Sequence, residues 1–352
     1  FARNPTDVST MRQRLLDAGV AVLDSELDYG KIVQTGEPEL DALASEIRGT
    51  VKVNALHVDH RKIVTIDGRV AYCGSANFGA QYLYHRPFDP EKDAHEEATA
   101  RRKAGQPEPW WTWHDGLARF EGPIVCDLDR VFRERWRLGG GADFRPLDAV
   151  IPAAPRGIRV RSARVIKNEP SSRTNEIREA FRDRILAAER SIFIENPFLY
   201  HPAIVDALLA AKRARPLLEV TLILPGVTWT PTTLTYDAQQ YHYAAYIDAG
   251  VEIFEYQNHF VHLKLATFDL RWVIVGSANL NFRSLEDDKD FEACVLIESE
   301  ELAQSIDREV RVEDLRRSRR VAPEDVHGAS VHALRARSRG PRTLLMIASR
   351  EL

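Results

Sequence analysis

The sequence is poor in sulfur. Three cysteines (Cys73, Cys126 and Cys294) and two methionines stand among 352 residues. The cysteines lie far apart and form no CxxC, which excludes a disulfide framework and a cysteine zinc site. They read as small core residues, the usual place of a free thiol. No stretch approaches the roughly 18 uninterrupted apolar residues of a membrane-crossing helix. No secretory leader is visible. The chain opens at Phe1 and its first methionine is Met11, so it is silent about anything upstream. An excess of one charge is missing too: 48 Lys and Arg against 52 Asp and Glu leave −4. That argues against a general nucleic-acid coat, although a local basic groove would not show in a sum.

What is present is a globular composition, with 44% hydrophobic and 28% charged residues, in a chain long enough for two domains. It is also a repeat. "HRKIVTIDGRVAYCGSANFGAQYL" from His60 aligns with "HLKLATFDLRWVIVGSANLNFRSL" from His262. Both copies read H-x-K-x4-D and then G-S-A-N, and in both the histidine and the asparagine are 17 residues apart. Upstream, "LLDAGVAVLDSE" (15–26) matches "YIDAGVEIFEYQ" (246–257), a helix ending at glycine followed by a strand. The first copy carries about 29 extra residues before its motif, with a short helix expected near 38–48. The second copy is preceded by helix and strand patterns over 175–224 that have no counterpart before Met11. The first domain is therefore expected to be incomplete at its N-terminus. The boundaries read as a first domain at 1–138, a Gly- and Pro-rich linker at 139–168, a second domain at 169–312 and a basic tail at 313–352. That tail reads as a solvated extension or an anionic-lipid contact. Residues 86–109 read as a solvated loop.

The repeated residues suit one chemistry. Side chains alternate along a strand, so His60 and Lys62 share a face, as do His262 and Lys264. Asp67 falls out of that phase and reads as an orienting or structurally paired residue near the strand end. The motif glycine permits close backbone approach. Ser75, Asn77, Ser277 and Asn279 can donate hydrogen bonds to an oxyanion. Two such strands side by side present two imidazoles and two ammonium groups to one cavity, which suits a phosphodiester. One neutral imidazole attacks phosphorus and the other gives its proton to the leaving alcohol. Fixed cations take the task of an ion, so neither metal nor cofactor is expected. A histidine nucleophile needs a carboxylate on its far nitrogen. The candidates are Asp115 for the first copy and Glu292 for the second. His57 and His259, three residues before the motif histidines, face the other way and read as structural.

On these motifs the chain resembles the phospholipase D superfamily, whose signature is the duplicated HxKxxxxD followed by GSxN. Within it the resemblance is to bacterial cardiolipin synthases, through "WHDGLARFEGPIVCDLDRVFRERW" (113–136) and "GSANLNFRSLEDDKDFEACVLI" (276–297). The resemblance implies an α/β fold, a two-domain phospholipase D-like α/β/α sandwich with a pseudo-twofold repeat and the site between the copies. It implies a catalytic set of His60, Lys62, Asp67, His262, Lys264 and Asp269, with His60 as nucleophile and His262 as acid. It implies phosphatidyl transfer through a phosphohistidine on a phosphatidylglycerol-like phospholipid, at the cytoplasmic face of the membrane and peripheral to it. The sequence departs from these synthases at Asp288, Lys289 and Asp290, which leaves the acceptor alcohol open, as is the oligomeric state. Two other readings stand beside this one: a nucleic-acid phosphodiesterase, against which the −4 charge argues, and a lipid-binding protein without turnover. Trp110, Trp111 and Trp113, and the aromatics of 198–202 and 228–243, read either as packing or as lipid contacts. Arg283 and Ser284 read either as a head-group contact or as structural partners.

Overall fold

The computed structural model describes residues 12–23, 58–77, 113–142, 157–170, 174–226, 233–257, 259–286 and 289–327. The expectations for His57, 38–48, 86–109, Trp110, Trp111, 228–232 and 328–352 lie outside them. The chain divides into two compact units, residues 1–54 with 129–146, and residues 55–128 with 147–352. In the smaller unit, a helical stretch at 12–17 ends at Gly19, whose φ of 77° is the left-handed conformation of a glycine cap. The same unit holds the latter part of the helix Ile124–Leu138, where Phe132 stacks on Trp136 and Arg133 pairs with Asp129.

Among the described residues, the strands all belong to the larger unit. In chain order these are β1 (Ile63–Ile66), β2 (Val70–Gly74), β3 (Trp113–His114), β4 (Leu117–Glu121), β5 (Ser162–Glu169), β6 (Thr174–Asn175) and β7 (Ser191–Glu195). They continue as β8 (Glu219–Pro225), β9 (Glu252–Tyr256), β10 (Phe260–Val261), β11 (Leu265–Phe268), β12 (Trp272–Gly276), β13 (Glu292–Glu298) and β14 (Ser318–Arg320). Nine form one sheet in the order β14-β9-β8-β7-β11-β12-β13-β5-β6. β7, β8 and β9 run parallel through helical crossovers, and the strands from β11 to β6 are antiparallel. A second sheet has the order β1-β2-β4.

The repeat read in the sequence is also a repeat of register. Ile63 faces Cys73 and Ile66 faces Val70; 202 residues later, Leu265 faces Val275 and Phe268 faces Trp272. Strand periodicity sorts the core into two layers. Ile274, Cys294 and Leu296 point to helices Glu176–Ala187 and Pro202–Ala214. Val273, Val275, Val295 and Ile297 point the other way, to Ala71, Cys73 and Phe120 of the small sheet. The apolar runs on β11–β13 therefore have both faces covered. Cys73 and Cys294 are buried core thiols as expected, while Cys126 is only half-buried.

Two boundaries differ from the sequence reading. Residues 162–168, placed in the linker, belong to β5, because "SARVIKNE" alternates and pairs with β13 from Ser162 to Asn168. The described start of the basic tail is not a solvated extension: β14 completes the sheet edge beside β9. Its arginines are matched by acids, Arg319 by Glu255 and Asp325 and Arg320 by Glu252, each at 2.7 Å.

Candidate active site

Backbone hydrogen bonds bring the two motif histidines to one place. His60 N–H donates to Phe291 O at 3.0 Å, and His262 N–H donates to His114 O at 2.8 Å. Each acceptor immediately precedes a carboxylate, Glu292 after Phe291 and Asp115 after His114. The carboxylates then reach the rings. His60 Nδ1 is 2.8 Å from Glu292 Oε1, and His262 Nδ1 is 2.7 Å from Asp115 Oδ2. This corrects the pairing expected from sequence, which joined each carboxylate to the histidine of its own copy. The copies are crossed instead, because the histidine segment of one copy lies along the carboxylate segment of the other. Asp59 bridges to Phe291, and β10 pairs with β3.

Both carboxylates are held by further donors. Glu292 accepts from Ser277 Oγ and from Ser284 Oγ, the latter at 2.5 Å. Asp115 accepts from Ser75 Oγ and from Gly116 N–H at 3.0 Å. The motif serines, expected to bind substrate, therefore orient the carboxylates in this structure. Ser284, read as a head-group contact or a structural partner, takes the structural part, and Arg283 makes a two-point salt bridge with Asp290. Asn279 is buried, with its backbone N–H on Ser284 Oγ at 3.1 Å, and Asn77 is exposed. The motif glycines permit a close strand approach. A Cβ on Gly74 would stand 2.3 Å from Gly116 O, and one on Gly276 would stand 2.4 Å from Ala293 O.

Asp67 and Asp269, grouped with the catalytic set, are not brought to it. Both sit at the far turns of their hairpins with positive φ, 52° and 55°. Asp269 accepts from the backbone N–H groups of Glu189, Arg190 and Ser191 at 2.7–3.1 Å, tying β11 to the start of β7. The four residues of β11, five steps along the chain, separate it from Lys264, about 16 Å at strand rise.

Burial and charge set the protonation of the cluster. Burial opposes the charge of Glu292, yet His60 and Lys62 hold its carboxyl down to about 2. Burial likewise works against Asp115, and His262 and Lys264 keep it below the usual carboxylate range. Two ionised acceptors place the proton of each neutral ring on Nδ1 and make Nε2 the basic nitrogen. Burial pushes His262 down to about 3, with Lys264 adding to the effect, and burial also lowers His60. The lysines are driven the same way, Lys62 to about 8 and Lys264 to about 7, both mainly by burial. Each ammonium donates to the carbonyl of its own histidine, Lys62 to His60 O at 2.5 Å and Lys264 to His262 O at 2.7 Å. Such a cluster takes a phosphodiester anion well, since a negative charge entering it raises the affinity of every one of these groups for a proton. The ring of Trp113, read as packing or a lipid contact, lies 4.7 Å from that of His262 and 5.0 Å from that of Phe260. The backbone role of His114 was not foreseen, because a main-chain acceptor leaves no residue-type signal. His259 is buried, with its ring 6.5 Å from that of Tyr256.

Among the described residues, one group has metal-ligand geometry, His114, Glu195 and Asp314. None of the described helices is long and apolar enough to cross a membrane.

Residues 181–312 match a family model described as "Cardiolipin synthase, PLD-like domain". Over 266 residues the chain is 27% identical to cardiolipin synthase A of Buchnera aphidicola subsp. Acyrthosiphon pisum (strain APS), covering 73% of this chain and 49% of that protein. Cardiolipin synthase 1 of Staphylococcus epidermidis is 27% identical over 263 residues, 74% of this chain and 48% of that one. The chain thus spans about half the length of these curated relatives. The solved structure of phosphatidylserine synthase from Haemophilus influenzae Rd KW20 matches with a TM-score of 0.57 and 13% identity, over 85% of this chain and 72% of that one, a likeness of fold.

Proposed function

From a chain that carries a phospholipase D-like domain of the kind found in cardiolipin synthases, we propose a phosphatidyl transfer on glycerophospholipids, through a phosphohistidine and without a metal at the reacting atoms. The observation that carries this reading is the crossed pair: two histidines, each with Nδ1 on a buried carboxylate and each with a lysine two residues on. In the proposed sequence His60 Nε2 attacks phosphorus, and the bond from phosphorus to the leaving alcohol oxygen breaks. His262, protonated on Nε2, gives that oxygen its proton. An acceptor hydroxyl then passes its proton to His262 and attacks the phosphohistidine, and the P–N bond breaks to restore neutral His60. Lys62 and Lys264 neutralise the non-bridging oxygens. His262 is hard to protonate in the free protein, so the acid step draws on the negative charge of the bound phosphodiester.

A phosphatidylglycerol-like lipid is the proposed donor, met from the cytoplasmic face of the membrane by a peripheral protein. The test gives the protein phosphatidylglycerol vesicles or single-stranded DNA, without added metal, and follows the products. Lipid turnover with intact DNA is expected; DNA cleavage with untouched lipid would overturn the reading. His60→Ala and His262→Ala should each abolish turnover. A labelled phosphoryl adduct that survived His60→Ala but not His262→Ala would reverse their roles.

A further inference from the structure

A second set of ligand-type side chains converges from three elements. His114 comes from β3, Glu195 from the end of β7 and Asp314 from the helix Val312–Arg316. His114 Nε2 stands 3.2 Å from Glu195 Oε1 and 3.0 Å from Asp314 Oδ2. The three ligand atoms lie within 4.8 Å of one another. Glu195 is fully buried and Asp314 nearly so. The polar partners of Glu195 that the structure shows are the His114 ring and the Asp314 carboxyl, and the contact to neither oxygen has full hydrogen-bond geometry. A dry carboxylate is normally satisfied by several donors, because burying its charge is costly otherwise. Here two carboxylates share one imidazole.

We propose that His114, Glu195 and Asp314 bind one divalent cation of the zinc class. Donors on a tetrahedral shell of about 2.0–2.1 Å stand about 3.3 Å apart, close to both separations from His114 Nε2. Imidazole with two carboxylates is a zinc-type set; calcium and magnesium favour oxygen alone. A water would fill the fourth position. The ion would join three elements that are remote in sequence. It would also brace β3, whose His114 carbonyl receives the N–H groups of His262 and Leu263 and whose next residue carries the ring of His262. The site is a positioning one, since the contacts of its side chains differ from the carboxylate contacts of the reacting rings and it acts on them through the backbone of β3. It stands whether or not the proposed lipid chemistry is right.

The full chain is stripped with chelator, incubated with zinc chloride, dialysed and analysed for metal. About one zinc per chain is expected for the wild type and for His60→Ala and His262→Ala, and less than about a tenth of that for Glu195→Gln and Asp314→Asn. Cobalt loading of the wild type, which needs no variant, should show the visible bands of a tetrahedral N/O site without a thiolate band. A wild type that retains no zinc overturns the proposal. So does zinc kept by Glu195→Gln, zinc lost with the motif histidines, or a cobalt spectrum like that of the aqueous ion. All these readouts are independent of lipid turnover.

Discussion

Each motif histidine is made useful by the nitrogen that does not react. A buried, ionised carboxylate on Nδ1 fixes the tautomer, aims the ring and steadies the imidazolium when it forms. The crossed pairing makes this testable one atom at a time. Glu292→Gln keeps the shape and removes the charge, so it should cut kcat by about a hundredfold or more. By nitrogen NMR it should shift the Nδ1–H signal of His60 and leave that of His262 in place, with Asp115→Asn doing the reverse. A His60 signal that moved with Asp115→Asn would refute the crossing. The histidines and lysines were legible in the sequence because an i, i+2 spacing on a strand puts two side chains on one face whatever surrounds them. The carboxylates Asp115 and Glu292 were legible too, but not which histidine each one serves, because that is chosen by which strand docks alongside.

The hairpin is the next unit up. Its repeated register, offset by 202 residues, was legible because alternation and the glycine position define a hairpin locally. The motif aspartate entered the catalytic set through the family resemblance, whereas its phase along the strand already set it apart from the histidine and lysine. Asp269 instead occupies a left-handed turn position, which Asp tolerates, and caps three backbone amides. Asp269→Ala should therefore lower stability by about 2 kcal/mol, the worth of a charge-assisted hydrogen bond, measured by urea unfolding. Turnover per folded molecule should stay within about threefold of wild type, well inside the effect of losing a reacting group. A collapse of kcat in protein with unchanged stability would restore the aspartate to the catalytic set.

At the scale of the molecule, the cost of assembling the site appears as acid sensitivity. His262 titrates at about 3 when folded, against about 6.5 in an unfolded chain, so between those values the unfolded state binds more protons. The stability that His262 contributes falls as pH drops through that window, at up to about 1.4 kcal/mol per pH unit for one such group. His60, lowered in the same direction, adds to the loss. Glu292, held at about 2, adds its own from about 4.5 downward, because the unfolded carboxyl is protonated first. Glu195, pushed up to about 8 by burial, works the other way over the same range. The readout is therefore a difference: the urea midpoint of wild type minus that of His262→Gln should decline from pH 6.5 to 4.5, and a flat difference would contradict the folded-state protonation of His262. The sequence by itself determined the duplicated strand-and-turn unit, the faces of His60, Lys62, His262 and Lys264, and the two-layered hydrophobic pattern, since all of these follow from local backbone geometry. Tertiary structure alone decided that the copies exchange carboxylates, that the motif serines turn to Asp115 and Glu292, and that His114, Glu195 and Asp314 meet. Those contacts depend on how segments remote in sequence dock, and on the burial that only the docked state imposes.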